Sequence, residues 1–248
     1  MQISLIVPCY NEILNLKKGV LAKIGEYTKN RADFAEVIIV DDGSTDESTS
    51  YIEKNILPLY PKFRLIKNNH QGKAFAVITG VEKAKSDYVM FSDMDQATPI
   101  EESTKLIHEA KKGYPIVIGS RNTQRKGAPL ARKIMALGMI IIRTLLINLK
   151  GIRDTQCGFK LFEKKSALSI IRNLQVFKKN HLINDASVSA AFDLEFLYLA
   201  QKKKFPIKEV PVLWRHVETK RVNFLQDSLE TLRDVIRIKL YDIIGRYK

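Results

Sequence analysis

The sequence is poor in cysteine, in clustered histidine and in long apolar runs, and each scarcity excludes a class of protein. Its 248 residues include two cysteines, Cys9 and Cys157, so a disulfide framework is not expected and a reducing compartment fits. The four histidines form no ligand-spaced cluster, which argues against a zinc site. The longest apolar stretch, Ile134–Ile142, is well short of the roughly 18 residues of a membrane-spanning helix.

Several signatures are also missing. Met1 leads into Ile3–Val7 without the basic region and cleavage site of a signal peptide, so we expect neither a secretory leader nor a transmembrane segment. No Gly-x-Gly-x-x-Gly and no Walker lysine motif occur, which excludes the Rossmann dehydrogenases and the P-loop nucleoside triphosphatases.

Acidic residues are outnumbered. The 41 lysines and arginines against 27 acids leave a net charge of +14, which favours an anionic partner: a nucleotide, a phospholipid, a phosphorylated substrate or nucleic acid. A nucleic-acid-binding protein is the alternative outside enzymes, but the sequence has no RNA-recognition signature and no interleaved aromatic and basic residues. We therefore expect no nucleic acid.

Strand-like and helix-like segments alternate along the first half. The short β-branched runs are Ile3–Val7, Val37–Val40, Arg64–Ile66, Tyr88–Phe91 and Ile116–Ile118. The amphipathic segments between them are Leu14–Tyr27, Glu47–Leu57, Lys73–Lys85 and Glu101–Lys112. This alternation predicts an α/β fold with a mostly parallel sheet flanked by helices. We expect a single domain over 1–220, with a nucleotide half (1–120) and an acceptor half (121–220), and a basic amphipathic helix over 221–248.

Two aspartates follow an apolar strand at Val89–Ser92. Residues i and i+2 of an extended chain point the same way, so Asp93 and Asp95 can aim both carboxylates at one point past the strand end. Open α/β sheets bind their ligands there, and two oxygen ligands suit Mg²⁺ or Mn²⁺ holding substrate phosphates. The alternative is a solvated acidic turn.

Two earlier strand ends carry further polar residues. Pro8-Cys9-Tyr10-Asn11-Glu12 follows the first strand and places an aromatic ring and a carboxylate at the ligand-binding edge. Asp41-Asp42-Gly43-Ser44-Thr45-Asp46 follows the second, and its two leading aspartates lie where dinucleotide folds place ribose- or base-reading acids. Either motif alone is also compatible with an ordinary strand–turn–helix link.

Together these elements resemble glycosyltransferase family two, whose members have the Rossmann-like GT-A fold. The matching elements are Val7–Glu12, Val40–Asp46, Asp93–Asp95 and Gly119–Arg121. A fifth, Asp154-Thr155-Gln156-Cys157-Gly158-Phe159-Lys160, is similar to the polyprenyl-phosphate branch, which includes the dolichyl-phosphate β-glucosyltransferases. The resemblance runs from about residue 3 to residue 215.

The resemblance implies a role for each matching position. The implied substrate-binding residues are Pro8, Tyr10, Glu12, Asp41, Asp42, Lys73, Asp93 and Gln156. Asp93 and Asp95 would hold the metal-bound diphosphate, and the implied catalytic residues are Asp93, Asp95, Arg121, Lys160 and Asp193. Mannosyltransferases of this branch carry a further glutamine in Asp-x-Asp-x-Gln, but position 97 is alanine here, so that ligand is not transferred.

Arg121 and Lys160 would face phosphates. Lys160 follows Phe159, so in a strand one side chain would anchor in the core while the other reaches the cleft. Asp193 opens a helix as the sequence Phe192-Asp193-Leu194-Glu195, where other branches have a general base, although both acids also suit a helix N-terminus.

The second half contains two candidate membrane-surface segments. The first has five basic residues between Arg121 and Lys133 and the apolar segment Ile134–Leu149. The second is C-terminal, with Leu225, Leu229, Leu232, Ile236, Leu240 and Ile243 at helical spacing and four basic residues beside them. Basic-flanked amphipathic helices can lie in the headgroup plane. A core or oligomer helix with a solvated basic face is the alternative.

The resemblance thus implies an inverting glycosyltransferase that transfers glucose from UDP-glucose to dolichyl or polyprenyl phosphate at the cytosolic membrane face. Within enzymes the alternatives are GDP-mannose or another UDP-sugar as donor, and a glycan hydroxyl as acceptor. An inactive nucleotide-sugar sensor is a third possibility, against which the intact acidic set argues. The oligomeric state is left open.

Overall fold

A computed structural model of the protein describes residues 1–121, 144, 146–177, 191–215 and 224–247, with the side chains of 224–228 left aside. Its centre is a seven-stranded sheet in the order β3-β2-β1-β4-β6-β5-β7. The strands are β1 Ile3–Cys9, β2 Phe34–Asp41, β3 Phe63–Lys67, β4 Tyr88–Ser92, β5 Ile116–Arg121, β6 Phe159–Glu163 and β7 Ile207–Val212. The predicted α/β class and mostly parallel sheet are confirmed.

The strand directions bring several chain ends to one edge. β1 pairs in parallel with β2 and β4, and β2 with β3, so all four end at the same edge. β6 alone is antiparallel, to both β4 and β5, and β5 is parallel to β7. The start of β6 therefore lies at the edge where the other strands end, with Phe159 opposite Ser92.

Helices cover both faces of this sheet. They are α1 Ile13–Lys17, α2 Val20–Lys29, α3 Ser48–Asn55, α4 Lys73–Lys83, α5 Ser103–Lys111, α6 Lys164–Ile171, α7 Ala191–Lys202 and α8 Phe224–Ile243. One buried cluster lies between the sheet and α4, α6, α7 and α8, and a second lies on the opposite face against α2 and α5. Strands such as β2 face both clusters, which explains their continuous apolar sequences.

The observed elements differ in two places from those that the sequence predicts. The segment Leu14–Tyr27 forms two helices, because Gly19 has φ +77°, a left-handed conformation that interrupts the turn between α1 and α2. The strands β6 and β7 were not predicted, because Phe159–Glu163 contains no β-branched residue and Ile207–Val212 contains Pro211, which argues against a strand.

The helix α8 packs on α7 and buries Val235 and Ile238 in the core cluster on that face of the sheet. It ends in a Schellman turn: Gly245, at φ +70°, donates to the Asp242 carbonyl, and Arg246 donates to the Tyr241 carbonyl. The turn carries Tyr247 back into the core. Within the described residues, no helix is long and apolar enough to span a membrane.

Both predicted halves contribute strands to the one sheet. The proposed boundary near residue 220 and most of the basic and apolar segment 122–149 lie outside the described residues.

Candidate active site

The candidate site lies at the edge where β1, β2, β4 and β5 end and β6 begins. The motifs after β1, β2, β4 and β5 reach this edge because parallel strands connected by helices present their carboxyl ends together, and the motif before β6 reaches it because β6 is antiparallel. The structure separates the motif residues into two groups with different hydrogen-bond partners.

Asp41 and Asp42, at the end of β2, are both buried and satisfied largely by neutral donors. The Asp41 carboxylate accepts from the Ser44 N–H at 3.2 Å and from the Thr49 hydroxyl at 2.5 Å, which ties β2 to α3. The Asp42 carboxylate accepts from the N–H groups of Gln71 (3.1 Å) and Gly72 (2.7 Å), immediately before α4. Burial raises the pKa of Asp42, and these two N–H groups oppose the rise.

His70 joins this first group. Its ring stacks on Tyr10 with centroids 4.1 Å apart and planes at 15°, and its Nδ1 lies 2.8 Å from Asp42 Oδ2. Its Nε2 is buried and has no hydrogen-bond partner among the described residues. Sequence reasoning missed His70, because a lone histidine in a loop gives no periodic or spacing signal.

The loop after β1 is held against the loop after β2. Asn11, with φ +52°, accepts from the Thr45 and Asp46 N–H groups, and its own N–H donates to the Ser44 hydroxyl. The Glu12 carboxylate accepts from the Asn15 side chain at 2.6 Å. Pro8 lies two residues before Tyr10 in β1 and is partly exposed. The structure thus brings Pro8, Tyr10, Glu12, Asp41 and Asp42 to one edge, and their ligand roles stay predictions.

The second group centres on Asp93, which β4 delivers to the same edge. Asp93 Oδ1 is buried and forms an ion pair with Lys73, the first residue of α4. The Asp93 N–H donates to the Gly158 carbonyl at 3.1 Å, extending the pairing of β4 with β6. A Cβ at position 158 would overlap the Asp93 carboxylate, so only glycine leaves room for it.

Asp95 completes the acidic pair. Its Oδ1 accepts from the Ala97 N–H at 3.0 Å. Burial raises the pKa of Asp95, and the Asp93 carboxylate raises it further, against the Ala97 N–H and Lys73. Gln96, between the aspartates and position 97, turns its amide back to the Ser92 hydroxyl and the Asp93 carbonyl.

These residues fit a divalent cation that also contacts substrate oxygens. Among the described residues no group of three or more His, Cys, Asp or Glu side chains is arranged to hold an ion alone. The Asp93–Asp95 pair offers hard carboxylate oxygens in a cradle kept open by Gly158. Mg²⁺ and Mn²⁺ sites of this kind use one or two carboxylates and complete the shell with water and phosphate oxygens.

Buried Lys160 and partly buried Asp193 form an ion pair beside this acidic pair. Lys160 is only 1% exposed; its ammonium lies 2.8 Å from Asp193 Oδ1, bonds the Cys157 carbonyl, and lies 5.0 Å from the Phe91 ring centroid. The expectation that one of Phe159 and Lys160 reaches an open cleft is therefore wrong. Both are buried on opposite faces of β6, because the sheet is covered on both sides there.

The ion pairs are electrostatically linked. Burial lowers the pKa of the Lys73 ammonium, but the carboxylates of Asp93 and Asp193 outweigh burial, and the net shift is upward. Lys73 therefore stays a cation that the surrounding acids hold in place. The structure thus brings Lys73, Asp93, Asp95, Asp193 and Lys160 together.

Arg121, at the end of β5, is held by Asp154. Its Nε and Nη2 donate to the two carboxylate oxygens at 2.7 and 2.8 Å, and its own N–H donates to the same side chain. Burial raises the pKa of Asp154, but Arg121 outweighs it and the net shift is downward. The Glu209 carboxylate of β7 accepts from the Asp154 N–H at 2.7 Å and so helps to hold Asp154 in place. Gln156 is exposed in the turn that Asp154 caps.

Comparison with known proteins shows which family the chain resembles in sequence. The family described as Glycosyl transferase family 2 matches residues 4–169. The chain is 34% identical to the dolichyl-phosphate β-glucosyltransferase of Dictyostelium discoideum over 265 residues, which cover 99% of this chain and 76% of that protein. It is 30% identical to the human dolichyl-phosphate β-glucosyltransferase, covering 100% of this chain and 78% of the relative.

Solved structures give the same fold at lower identity. Glucosyl-3-phosphoglycerate synthase of Mycobacterium tuberculosis, in complex with Mn²⁺, UDP and phosphoglyceric acid, superposes with a TM-score of 0.64 at 17% identity, covering 98% of this chain and 78% of that one. Mannosyl-3-phosphoglycerate synthase of Rubrobacter xylanophilus gives 0.67 at 13%, covering 99% and 75%. These neighbours confirm the predicted GT-A fold. Since the family match spans more than half of the chain and relatives at 30% identity or more cover nearly all of it, the chain belongs to glycosyl transferase family 2.

Proposed function

We propose that this protein is an inverting hexosyltransferase that transfers glucose from UDP-glucose to the phosphate of dolichol or a related polyprenol at the cytosolic surface of a membrane. The observation that carries the proposal is the Asp93–Asp95 pair at the end of β4, cradled by Gly158 of the polyprenyl-phosphate-like motif. Relatives at 30–34% identity along the whole chain, each a dolichyl-phosphate β-glucosyltransferase, support the choice of donor and acceptor.

The donor would lie along the edge from β2 to β4. Tyr10, Glu12 and Asp42 would contact the uracil and ribose, and the diphosphate would reach the Asp93–Asp95 pair. Asp93 and Asp95 would hold Mg²⁺ or Mn²⁺, which when bound supplies positive charge beside the diphosphate. Lys73 lies against Asp93 and would add a second cation for the leaving UDP.

The acceptor needs little help from a base. A phosphate monoester oxygen is already anionic near neutral pH, so it can attack the anomeric carbon in line while UDP leaves from the opposite side. The Asp193 carboxylate is already ion-paired with Lys160, which suits a role in orienting that lysine rather than in taking a proton. Arg121, fixed by Asp154, would present its remaining N–H groups toward phosphate.

Membrane association would involve α8. Leu229, Ile236, Leu240 and Ile243 recur every three to seven residues and are 44–68% exposed, while Val235 and Ile238 on the other side are buried. The basic residues of the helix and its end are Arg233, Arg237, Lys239 and Arg246. An exposed apolar stripe with neighbouring cations suits a helix that lies in the headgroup region of an anionic membrane.

A glycan hydroxyl as acceptor is the second candidate. Such a transfer requires a general base to remove the hydroxyl proton. Asp193 is the candidate base, but its ion pair with buried Lys160 opposes that role. Under this alternative, Asp193→Asn abolishes turnover; under the proposed function it reduces turnover without abolishing it.

The deciding experiment offers the protein a panel of UDP- and GDP-sugars with polyprenyl phosphate and Mg²⁺, and identifies the products by mass. We expect glucosyl-phosphoryl-polyprenol from UDP-glucose. Replacement of polyprenyl phosphate by the free polyprenol is the matched control, and no product is expected from it. Preference for GDP-mannose, or transfer to a glycan and never to the lipid phosphate, would refute the donor or the acceptor assignment respectively.

A further inference from the structure

Glu195 is a carboxylate that the proposed chemistry does not use, although it is completely buried in the second turn of α7. It has four hydrogen-bond donors. The Gln175 and Val176 N–H groups lie 2.7 and 2.9 Å from Oε1, the Phe177 N–H lies 3.2 Å from Oε2, and the Tyr247 hydroxyl lies 2.6 Å from Oε1. A buried carboxylate is costly unless it is satisfied in this way, so these contacts fix its position closely.

The four donors come from distant parts of the chain. Residues 175–177 follow α6, and Tyr247 follows α8. Tyr247 returns to α7 only because the Schellman turn at Gly245 reverses the chain. Its ring meets Tyr198 of α7 and Tyr241 of α8 edge-on, at 5.8 and 6.4 Å between centroids. Glu195 thus ties α7 to the chain after α6 and to the C-terminal end.

Glu195 also lies two residues from Asp193. Residues two apart on an α-helix point to nearly opposite sides, so Glu195 faces the surrounding core while Asp193 faces β6. Asp193 bonds Lys160 at 2.8 Å, and Lys160 lies over the ring of Phe91, two residues before Asp93. A shift of the first turn of α7 would therefore move the Asp193–Lys160 pair relative to the acidic pair at the end of β4.

We propose that Glu195 and the Tyr247 hydroxyl are a positioning pair that fixes the first turn of α7, and through it the Asp193–Lys160 ion pair. The C-terminal end of the chain is on this basis part of the catalytic unit. The inference rests on the proposed function in one respect, namely that Asp193 and Lys160 lie beside the reacting groups.

The first test compares Tyr247→Phe, which removes one hydroxyl from the pair, with Tyr241→Phe, which makes the same change in the neighbouring ring. Misplacement of a catalytic group by a fraction of an ångström has a large kinetic cost, so we expect kcat of Tyr247→Phe to fall by about tenfold. The UDP dissociation constant should stay within about twofold of the unsubstituted protein, and Tyr241→Phe should match that protein in both quantities. An unchanged kcat in Tyr247→Phe overturns the proposal.

A double-mutant cycle separates positioning from general stability. If Tyr247 acts through Asp193, Tyr247→Phe should lower kcat little further in an Asp193→Asn background, because coupled residues are non-additive. An equal fall in both backgrounds overturns the proposal. Glu195→Gln keeps the three bonds to Oε1 and mismatches only the Phe177 N–H, so it provides a milder second variant, for which we expect a smaller fall in kcat in the same cycle.

A measurement without substrate keeps this inference separate from the proposed function. Amide hydrogen exchange across the first turns of α7, Leu194 to Leu197, should be faster in Tyr247→Phe and unchanged in Tyr241→Phe. Unchanged exchange in Tyr247→Phe refutes the positioning link, whatever the enzyme transfers. Failure of the unsubstituted protein to glucosylate lipid phosphate instead refutes the proposed function, and the exchange experiment then still decides the link.

Discussion

The two groups of acids at the candidate site differ in what satisfies them. Asp41 and Asp42, at the end of β2, accept mainly from backbone N–H groups and a hydroxyl. Asp93, Asp154 and Asp193, around the start of β6, face the cations Lys73, Arg121 and Lys160 instead. The carboxylates of the first group are held by uncharged hydrogen-bond donors, and those of the second group belong to a cluster of ion pairs.

Under the proposed function, this difference would suit the two parts of a nucleotide sugar. A base and a ribose are neutral and are bound by directed hydrogen bonds, for which carboxylates held rigidly by neutral donors are suited. A diphosphate and an acceptor phosphate carry charge that changes during transfer, and preorganised charged groups stabilise such changes most. The segment Gln71-Gly72-Lys73 joins the two groups, because its N–H groups bond Asp42 and its lysine pairs with Asp93.

The largest loss of activity is expected when an acid of the pair at the end of β4 is removed. We expect Asp95→Ala to lower kcat by on the order of 10³-fold, because the diphosphate leaving group then loses a principal charge contact. Steady-state assays with Mg²⁺ and with a chelator test this. Asp87→Ala, which removes an exposed acid just before β4 at the opposite edge, should keep near-normal turnover. Full activity of the unsubstituted protein in excess chelator would contradict the metal requirement.

The ion-pair character of the second group predicts a large effect on stability. Lys160→Met leaves Asp193 as a largely buried carboxylate without its lysine partner, so the free energy of unfolding should fall by about 3 kcal/mol. The double variant Lys160→Met/Asp193→Asn should recover much of this loss. Lys202→Met, in the more exposed pair with Asp242, should cost about 1 kcal/mol or less. Denaturant unfolding measures the free energy of unfolding of all three variants. Equal losses in Lys160→Met and Lys202→Met would contradict the expected difference between the buried and the exposed ion pair.

Substitution in the Asp41–Asp42 group is expected to weaken binding of the nucleotide. In Asp42→Asn one oxygen becomes an NH₂ group, which faces either the Gln71 or the Gly72 N–H and loosens the segment that carries Lys73. We expect UDP to bind about tenfold more weakly by calorimetry, in line with the loss of one buried hydrogen bond. Asp33→Asn, just before the start of β2, is the control. Equal affinity in Asp42→Asn would exclude Asp42 from the nucleotide site.

The proposed membrane binding concerns α8, which belongs to neither group of acids. Leu240→Glu in the exposed stripe of α8 should weaken co-sedimentation with anionic vesicles by about tenfold, because a buried leucine contributes roughly 1.5–3 kcal/mol. Leu59→Glu, at an even more exposed leucine outside α8, should leave vesicle binding unchanged. Binding should weaken with salt without disappearing. Protein that stays in the supernatant at low salt would contradict the proposal.

The smallest effect concerns the pH dependence of stability. Burial raises the pKa of Glu195 above its ordinary range despite its four donors. The folded state therefore holds a proton more tightly than the unfolded state, and the free energy of unfolding should decline as the pH rises from about 4.3 through the folded pKa. Glu195→Gln should lack this component of the slope, whereas Glu53→Gln on the surface of α3 should retain it. Identical slopes in Glu195→Gln and the unsubstituted protein would contradict the assignment.

Much of the first group was predictable, because its information is local. Each β-branched run followed by a polar motif predicts a strand end, and parallel strands collect such ends at one edge. In the second group, Asp93 and Asp95 were identified from their i, i+2 spacing after an apolar strand, together with the acids at the other strand ends. His70 of the first group was not identified, because its contact with Tyr10 and Asp42 depends on how two loops approach each other.

The sequence by itself determined the fold class, the strand ends and the acids they carry, because periodicity and turn chemistry act over a few residues. Only the tertiary structure decided the pairing of those acids. The antiparallel insertion of β6 between β4 and β5 brings Gly158 against Asp93 and buries Lys160 beside Asp193. The Schellman turn after α8 brings Tyr247 to Glu195, 52 residues away in sequence. Contacts between such distant residues depend on strand order and helix docking, and no local pattern encodes either.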